Sequence, residues 1–503
     1  MCGIVAIYGD NSRRWAAHMG PMMDKLYHRG PNDEGTYWGE NVLLGQKRLS
    51  IVDVDGGKQP ILSEDGKTCI IANGEIYNHL DLRSKLIHHE FRTNSDSEAV
   101  LHLFEDKGEE ALSELDGMFA LIIYDGQDLL VARDPLGIKP LYQGGKEGCL
   151  FFASELKSLE GVADTIIEFP AGHYYSSKSG LHRYYQVPQA DHYESDIDTI
   201  TATLRQKLSK AIRKRFMSDV PLGVFLSGGL DSSLISAVSM RHFDHLNSFA
   251  VGMETSPDLQ YARQVADVIG TDHHEYIYTK EEIMEALPTV IYHLESYDPA
   301  LVRSAIPTYF VSRLASQYVT VILTGEGSDE VFAGYHYFKD ISDDDDLHEE
   351  SIRIVEGLHN VNLQRVDRLT MAHSIEGRVP FLDIDFVEYA TSIDPKLKQV
   401  DEYRMEKWLL RKAFQGYIPE EVLWRTKTEF ADGCASSHVV AEFAEHDISD
   451  TEFERQRNDL APIDIYSKEE LYYYRIFRDF FGTKGLENAV GKWRGRFESE
   501  RVN

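Results

Sequence analysis

The stretch Gly223-Val224-Phe225-Leu226-Ser227-Gly228-Gly229-Leu230-Asp231-Ser232-Ser233 reads as an apolar strand, a glycine turn and the opening of a helix. That order makes a phosphate cradle. A helix N-terminus offers unpaired backbone N–H groups and the positive end of its macrodipole, and two adjacent glycines let an anion come close to them. Ser227, Ser232 and Ser233 add hydroxyl donors. The loop lacks the Lys-Ser/Thr ending of a Walker A motif and places Asp231 where a metal bound to polyphosphate needs a carboxylate. An ordinary strand-to-helix turn with a serine N-cap is the plainer reading of the glycine pair alone.

Outward from this loop the pattern stays regular. Residues 197–217 carry apolar side chains at helical spacing with basic residues between them and lead into it. After it come a strand at Ser248-Phe249-Ala250-Val251-Gly252, a helix near 261–269 and a strand at Glu275-Tyr276-Ile277-Tyr278. The next strand, Val319-Thr320-Val321-Ile322-Leu323, ends in Thr324-Gly325-Glu326-Gly327-Ser328-Asp329-Glu330. Strands alternating with helices predict a parallel sheet with its ligand at the carboxyl ends. The acidic loop and Asp231 are therefore expected at one sheet edge, as a metal or substrate site rather than a solvated turn. The run Asp343-Asp344-Asp345-Asp346 reads as a solvated loop.

A chain of 503 residues is long enough for two or three domains with separate cores. Its formal charge of -31 disfavours nucleic acid or an anionic membrane as a partner, since phosphate binding needs a basic surface. No apolar run approaches a membrane span and no signal-peptide pattern opens the chain, so the cytoplasm is the expected location. The four cysteines, Cys2, Cys69, Cys149 and Cys434, are far apart and form no CxxC pair, which argues against a disulfide framework or a zinc knuckle. Cys69 and Cys149 lie in apolar runs as small hydrophobes. Cys2 differs by position. Loss of Met1 would leave it with a thiol and a free α-amine, a nucleophile carrying its own base; a buried cysteine behind a retained methionine is the alternative.

Other segments of the first half carry polar groups suited to the same chemistry. Tyr27-His28-Arg29-Gly30-Pro31-Asn32-Asp33 is a polar turn, and Gln46-Lys47-Arg48-Leu49-Ser50-Ile51-Val52-Asp53 a strand with an arginine fit to grip a carboxylate. Ile70-Ile71-Ala72-Asn73-Gly74-Glu75-Ile76-Tyr77-Asn78 runs from strand to turn, where the Asn73 amide and the Gly74 N–H can meet as an oxyanion hole. Glu75 could cap the following helix or bind an ammonium; Asp96 could be an N-cap or an ammonium ligand. From 117 to 159 the period-2 alternation, with turns at Asp125-Gly126 and Gly144-Gly145, predicts antiparallel hairpins. The pattern loosens at Pro188-Gln189-Ala190-Asp191, which sets domains at 1–190 and 191–503.

The loop at 223–233 resembles the pyrophosphate loop of N-type ATP pyrophosphatases. Cys2-Gly3-Ile4, His28-Arg29-Gly30-Pro31, Arg48 through Val52, Asn73-Gly74-Glu75 and Ser95-Asp96 resemble the glutaminase domain of class II glutamine amidotransferases. That resemblance implies an α+β N-terminal-nucleophile fold, an αββα sandwich, in which Cys2 attacks the glutamine amide and releases ammonia. Arg48, with Leu49, Ser50, Ile51 and Val52 around it, would hold the glutamine α-carboxylate; Glu75 and Asp96 would take its ammonium; Asn73 and Gly74 would stabilise the oxyanion.

The second half, to about Gly433, resembles the α/β parallel-sheet synthetase domain of glutamine-dependent asparagine synthetases. The family usually has serine at Thr324 and leucine at Phe225. The resemblance implies ATP and Mg2+ as cofactors. Phe225, Ser227, Gly228, Gly229, Asp231, Ser232, Ser233, Val251, Thr324 and Gly325 would bind the nucleotide, and Asp231 and Asp329 would hold magnesium. Glu326 and Lys427 are the implied catalytic residues, the lysine in Trp424-Arg425-Thr426-Lys427-Thr428-Glu429-Phe430-Ala431-Asp432-Gly433. Aspartate, glutamine or ammonia, and ATP are the implied substrates, passing through a β-aspartyl adenylate to AMP and pyrophosphate, and a homodimer is compatible with this. Because ammonia is scarce at neutral pH, the two centres should share an enclosed passage; Arg133, Glu376 and Arg378 resemble family residues near it.

A β-lactam synthetase shares the adenylating domain but generally lacks the terminal cysteine. A sugar-phosphate aminotransferase shares the glutaminase half but has no phosphate loop for ATP. A non-catalytic binding protein would be expected to lose Cys2, Asp231 or Lys427, and all three are present.

Overall fold

A computed structural model describes residues 2–190, 193–482 and 485–493. The first part of the chain forms two six-stranded antiparallel sheets. One runs in the order Thr165–Glu168, Tyr142–Lys146, Cys149–Ala153, Cys2–Tyr8, Val42–Arg48, Asp33–Trp38. The other runs Gly180–Arg183, His173–Ser176, Leu129–Arg133, Gly117–Tyr124, Cys69–Ile76, Ile61–Leu62. Strand alternation decides which side chain goes where. In Cys69–Ile76, Cys69 and Ile71 pack into the space between the sheets with Ile4, Leu44 and Ile122, while Ile70 and Ala72 face Leu82 and Leu101 on the outer helices. Met19, Met22 and Met23 of the helix Ala16–Asp24 cluster with Val5 and Leu43 of the other sheet. The result is the expected αββα sandwich.

The second part is built on a five-stranded parallel sheet in the order Asp272–Ile277, Asn247–Gly252, Leu222–Phe225, Val321–Leu323, Glu376–Arg378. The direction of strand addition reverses between Leu222–Phe225 and Val321–Leu323, so the loops leaving these neighbours open into one crevice. Gly228 makes the first of those loops possible. Its φ is +72°, and a Cβ there would meet Ala262 N at 2.5 Å.

Several expectations need correction. Gly144-Gly145 is not a turn but lies inside Tyr142–Lys146; a Cβ on Gly144 would meet the Ala163 Cβ at 2.6 Å, so glycine permits close approach there, and the chain turns at Glu147-Gly148, both with positive φ. Asp343 through Asp346 is not a loop. Asp343 caps the helix Asp344–Glu356 by accepting from Asp345 N and Asp346 N, and the acidic first turn suits the positive helix end. The helix before the phosphate loop is Ile197–Lys214, and Gly229 rather than a serine holds the N-cap position of Leu230–Met240. Asp191, at the expected domain boundary, lies outside the described residues. Among the described residues no helix is long and apolar enough to cross a membrane, and all four cysteines are buried and unbridged.

The two parts are joined by buried charge. Arg29 donates across the boundary to Asp367 at 2.7 and 3.1 Å, and on its own side to Glu155 at 2.7 Å, while Lys157 lies 3.1 Å from Glu295 across the same boundary. Leu49 and Ile51 pack against Val321 and Met371 across the same boundary.

Candidate active sites

The first site forms where Cys2–Tyr8 pairs with Val42–Arg48. Their register puts Cys2 opposite Arg48. The Cys2 backbone N–H donates to Asn73 Oδ1 at 2.9 Å, and Arg29 Nε donates to the Cys2 carbonyl at 3.0 Å. Burial pushes the Cys2 thiol up, against the opposing pull of the Leu49 N–H and Arg48. Loss of Met1, which lies outside the described residues, would turn that same nitrogen into a free amine. Asn73 Nδ2 is buried and, among the described residues, has no hydrogen-bond partner. Asn73, Gly74 and Glu75 are not in the turn but within the strand Cys69–Ile76.

Glu75, Asp96 and Glu376 are buried together near Arg378. Burial, with the charges of Glu376 and Asp96, pushes Glu75 well above the usual carboxylate range. Burial also raises Asp96, against the N–H groups of Ile76 (2.7 Å) and Ser97 (2.8 Å). Glu376 goes the other way: burial opposes its charge, but Arg378, donating from Nε at 2.6 Å, draws it down to about 2. Three buried carboxylates around one guanidinium suit a guest ammonium. Glu75 caps no helix, and Ser95 rather than Asp96 caps Asp96–Lys107. Arg48 donates to the carbonyls of Val52 (3.1 Å), Asp53 (2.7 Å) and Val54 (3.0 Å). Leu49 and Ile51 point into the boundary between the two parts, and Ser50 N–H donates to Asn32 Oδ1 at 3.0 Å.

The second site is a cavity of about 430 Å³ in the crevice of the parallel sheet. Phe225, Ser227, Gly229, Asp231, Ser232, Thr324, Gly325, Glu326, Asp329 and Lys427 line it, whereas Gly228, Ser233 and Val251 do not. Ser328 Oγ donates to Asp231 Oδ1 at 2.6 Å, tying the acidic loop to the phosphate loop. Lys407 Nζ lies 2.6 Å from both Asp231 Oδ2 and Asp329 Oδ1, and Lys427 Nζ lies 2.6 Å from Asp329 Oδ1. Burial would raise Asp329, but the two ammonium groups hold it far below the usual carboxylate range. Burial and the Asp329 charge push neighbouring Glu330 up to about 7. Two carboxylates converging on one cation form a hard-oxygen pair that suits Mg2+. Ser233 Oγ and Thr324 Oγ1 are buried polar atoms without hydrogen-bond partners among the described residues.

Arg378 reaches toward both sites. Its Nη2 lies 3.8 Å from Glu75 Oε2, and its carbonyl accepts from Thr324 N at 2.9 Å. Arg133 stands one step back, with its guanidinium on the carbonyls of Lys139, Phe169 and Gly137 and on Glu168. Lys139 in turn donates to the Gly377 carbonyl at 3.3 Å.

Residues 1–210 match the glutamine amidotransferase domain family, and residues 203–343 and 339–494 match the asparagine synthase family. The chain is 41% identical over 515 residues to asparagine synthetase [glutamine-hydrolyzing] 2 of Arabidopsis thaliana, covering 97% of this chain and 89% of the relative. It is 40% identical over 534 residues to the probable asparagine synthetase [glutamine-hydrolyzing] of Schizosaccharomyces pombe, covering 98% and 96%. The chain belongs to the glutamine-hydrolysing asparagine synthetase family. The match continues well past Gly433, where the motif resemblance faded.

For this family member, reading by motif missed Lys407, Arg365 and Asp367, and it met Arg29 only as part of the turn at 28–31, without its partner. Lys407 carries one detectable oddity, a positive φ of 58° at a non-glycine residue, which no sequence pattern announces. Arg365 pairs with Glu326, and Asn362 of the same helix, Asn362–Met371, donates to Glu330 at 3.1 Å. Asp367, further along that helix, grips Arg29.

Proposed function

We propose that this chain makes asparagine from aspartate and ATP with ammonia cut from glutamine. The observation that carries this reading is that Cys2 and the Asp231–Asp329 pair are complete in one chain and Arg378 contacts the surroundings of both. The α-amine of a processed Cys2 takes the thiol proton, and the thiolate attacks the glutamine side-chain carbonyl. Asn73 Nδ2 and the Gly74 N–H hold the oxyanion, Glu75 and Asp96 the α-ammonium, and Arg48 the α-carboxylate while keeping loop 52–54 in place. Collapse of the tetrahedral species expels ammonia and leaves a thioester, which water opens to glutamate.

In the second site the aspartate β-carboxylate attacks the α-phosphorus of ATP and pyrophosphate leaves. Lys427 stabilises the charge that builds on the phosphorane, a contribution of ~10²–10³ in rate for a preorganised donor. Magnesium, held by Asp231 and Asp329, would neutralise the pyrophosphate charge. Ammonia then displaces AMP from the β-aspartyl adenylate. Enclosing its route past Glu376 and Arg378 keeps it neutral and near.

The test is product analysis with aspartate, glutamine and ATP. The expected set is asparagine, glutamate, AMP and pyrophosphate, and ADP in place of AMP would contradict the scheme. Mass analysis of the mature N-terminus tests the base: a retained Met1 would contradict it.

A further inference from the structure

Away from both centres, four side chains converge where the helix Asp96–Lys107 meets the segment before it and the turn at residues 63–66. Among the described residues, Glu64, His89, His102 and Glu105 are the one group of three or more His, Cys, Asp or Glu residues whose ligand atoms gather closely, all within 4.8 Å of one another. The sequence puts His102 and Glu105 one helical turn apart, so both project from one face. Both histidines turn Nδ1 inward. His89 Nδ1 lies 3.2 Å from Glu64 Oε1 and 3.7 Å from Glu105 Oε2; His102 Nδ1 lies 2.8 Å from Glu105 Oε2 and 3.7 Å from Glu64 Oε2. Ligands about 2.0–2.1 Å from a tetrahedral zinc are separated by about 3.3 Å, and these four distances bracket that edge.

The outward nitrogens matter as much. His89 Nε2 lies 3.1 Å from Asp106 Oδ1, and His102 Nε2 faces Glu98 Oε1 at 3.8 Å, so each imidazole stands between an inner and an outer carboxylate. That is how metal-bound histidines are oriented and made basic. Glu98 is itself fixed by the N–H groups of Arg92 and Thr93, both at 2.7 Å, and Glu64 by the Glu90 N–H at 2.8 Å. The two rings stack at 4.4 Å between centroids, with His102 only 1% exposed. A single dication among the Nδ1 atoms would offset the charges of Glu64 and Glu105 gathered there.

The geometry points to a divalent-cation site of the zinc class, with Glu64, His89, His102 and Glu105 as ligands and Asp106 and Glu98 as supports. The ion would staple the segment before Asp96 to the helix and to the 63–66 turn. Any influence on glutamine binding through Asp96 rests on the glutaminase reading, so the test reads metal and not activity.

The experiment uses the full chain stripped with a chelator and titrated with Co2+, then Zn2+. One four-coordinate cobalt per chain, seen as intense visible d–d absorption and bleached by zinc, is the expected result. His89→Ala, at the partly exposed histidine, and Glu105→Gln should each abolish that absorption and raise the zinc dissociation constant at least tenfold. His245→Ala, at an exposed histidine elsewhere, should leave both unchanged. No cobalt band, only the weak absorption of octahedral cobalt, or a band that survives His89→Ala in a folded protein would overturn the assignment.

Discussion

Cys2, Asn73, Glu75 and Asp96 are at most 6% exposed, on two strands and a helix start, whereas the side chains of Asp231, Glu326, Asp329 and Lys427 are 20–23% exposed around an open crevice. In the first region burial prevails at the Cys2 thiol and at the Glu75 and Asp96 carboxyls, raising all three, and Glu376, beside Arg378, goes the other way. In the second, ion pairs prevail over burial at Asp329, which Lys407 and Lys427 keep ionised, while burial still raises Glu330 beside it. The contrast fits the guests of the proposed function. A glutamine side chain and a neutral amine profit from a dry, rigid enclosure, while a nucleotide polyphosphate needs an entrance and standing charge.

The strongest way to break this contrast is Cys2→Ala. Glutamine-dependent synthesis should vanish while ammonia-dependent synthesis continues at its original rate, as assayed by asparagine formation with each nitrogen source. Loss of both would mean that the regions are not chemically separate. Lys427→Ala is the reciprocal change. It should lower kcat by ~10²–10³ with either nitrogen source and spare glutamine hydrolysis.

A third variant addresses the joint. Asp367→Asn leaves the buried Arg29 with Glu155 as its remaining carboxylate, and since leaving such a charge wholly unpaired costs about 3–5 kcal/mol, the unfolding temperature should fall by a part of that. An unchanged unfolding temperature would show that the boundary charges are dispensable. The smallest effect contrasts two buried lysines. Lys407 is held charged between two aspartates, while burial alone pushes Lys398, which donates to the Ala390 carbonyl at 2.6 Å, down to about 7. Folding therefore disfavours the charged Lys398 at neutral pH. Lys398→Met should raise the unfolding temperature at pH 7, and the gain should shrink as pH climbs toward the ordinary lysine range near ~10.4. A gain that grows with pH would contradict this.

What was legible in the sequence was local. The phosphate loop, the acidic loop and the strand around Asn73 advertise themselves because glycines, hydroxyls and carboxylates must be adjacent to do their work. Lys407 sits in Glu406-Lys407-Trp408 with no such neighbours and gains its role from Asp231, 176 residues earlier. Arg29 and Asp367 are 338 residues apart, and nothing in either stretch signals the other. Gly144 misled because a glycine pair signals a turn or a close approach equally well, and only the packing of Ala163 distinguishes them. Arg48 was recognised as a fixed guanidinium, but its hold on the 52–54 carbonyls depends on a fold of that loop that no periodicity encodes.

The central claim is that nitrogen released at Cys2 reaches the crevice without mixing with solvent. Glutamine labelled with 15N at its amide, supplied together with excess unlabelled ammonium, tests it most directly. Asparagine carrying the label at nearly the enrichment of the glutamine is the predicted result; asparagine diluted to the isotope ratio of the bulk ammonium would contradict it.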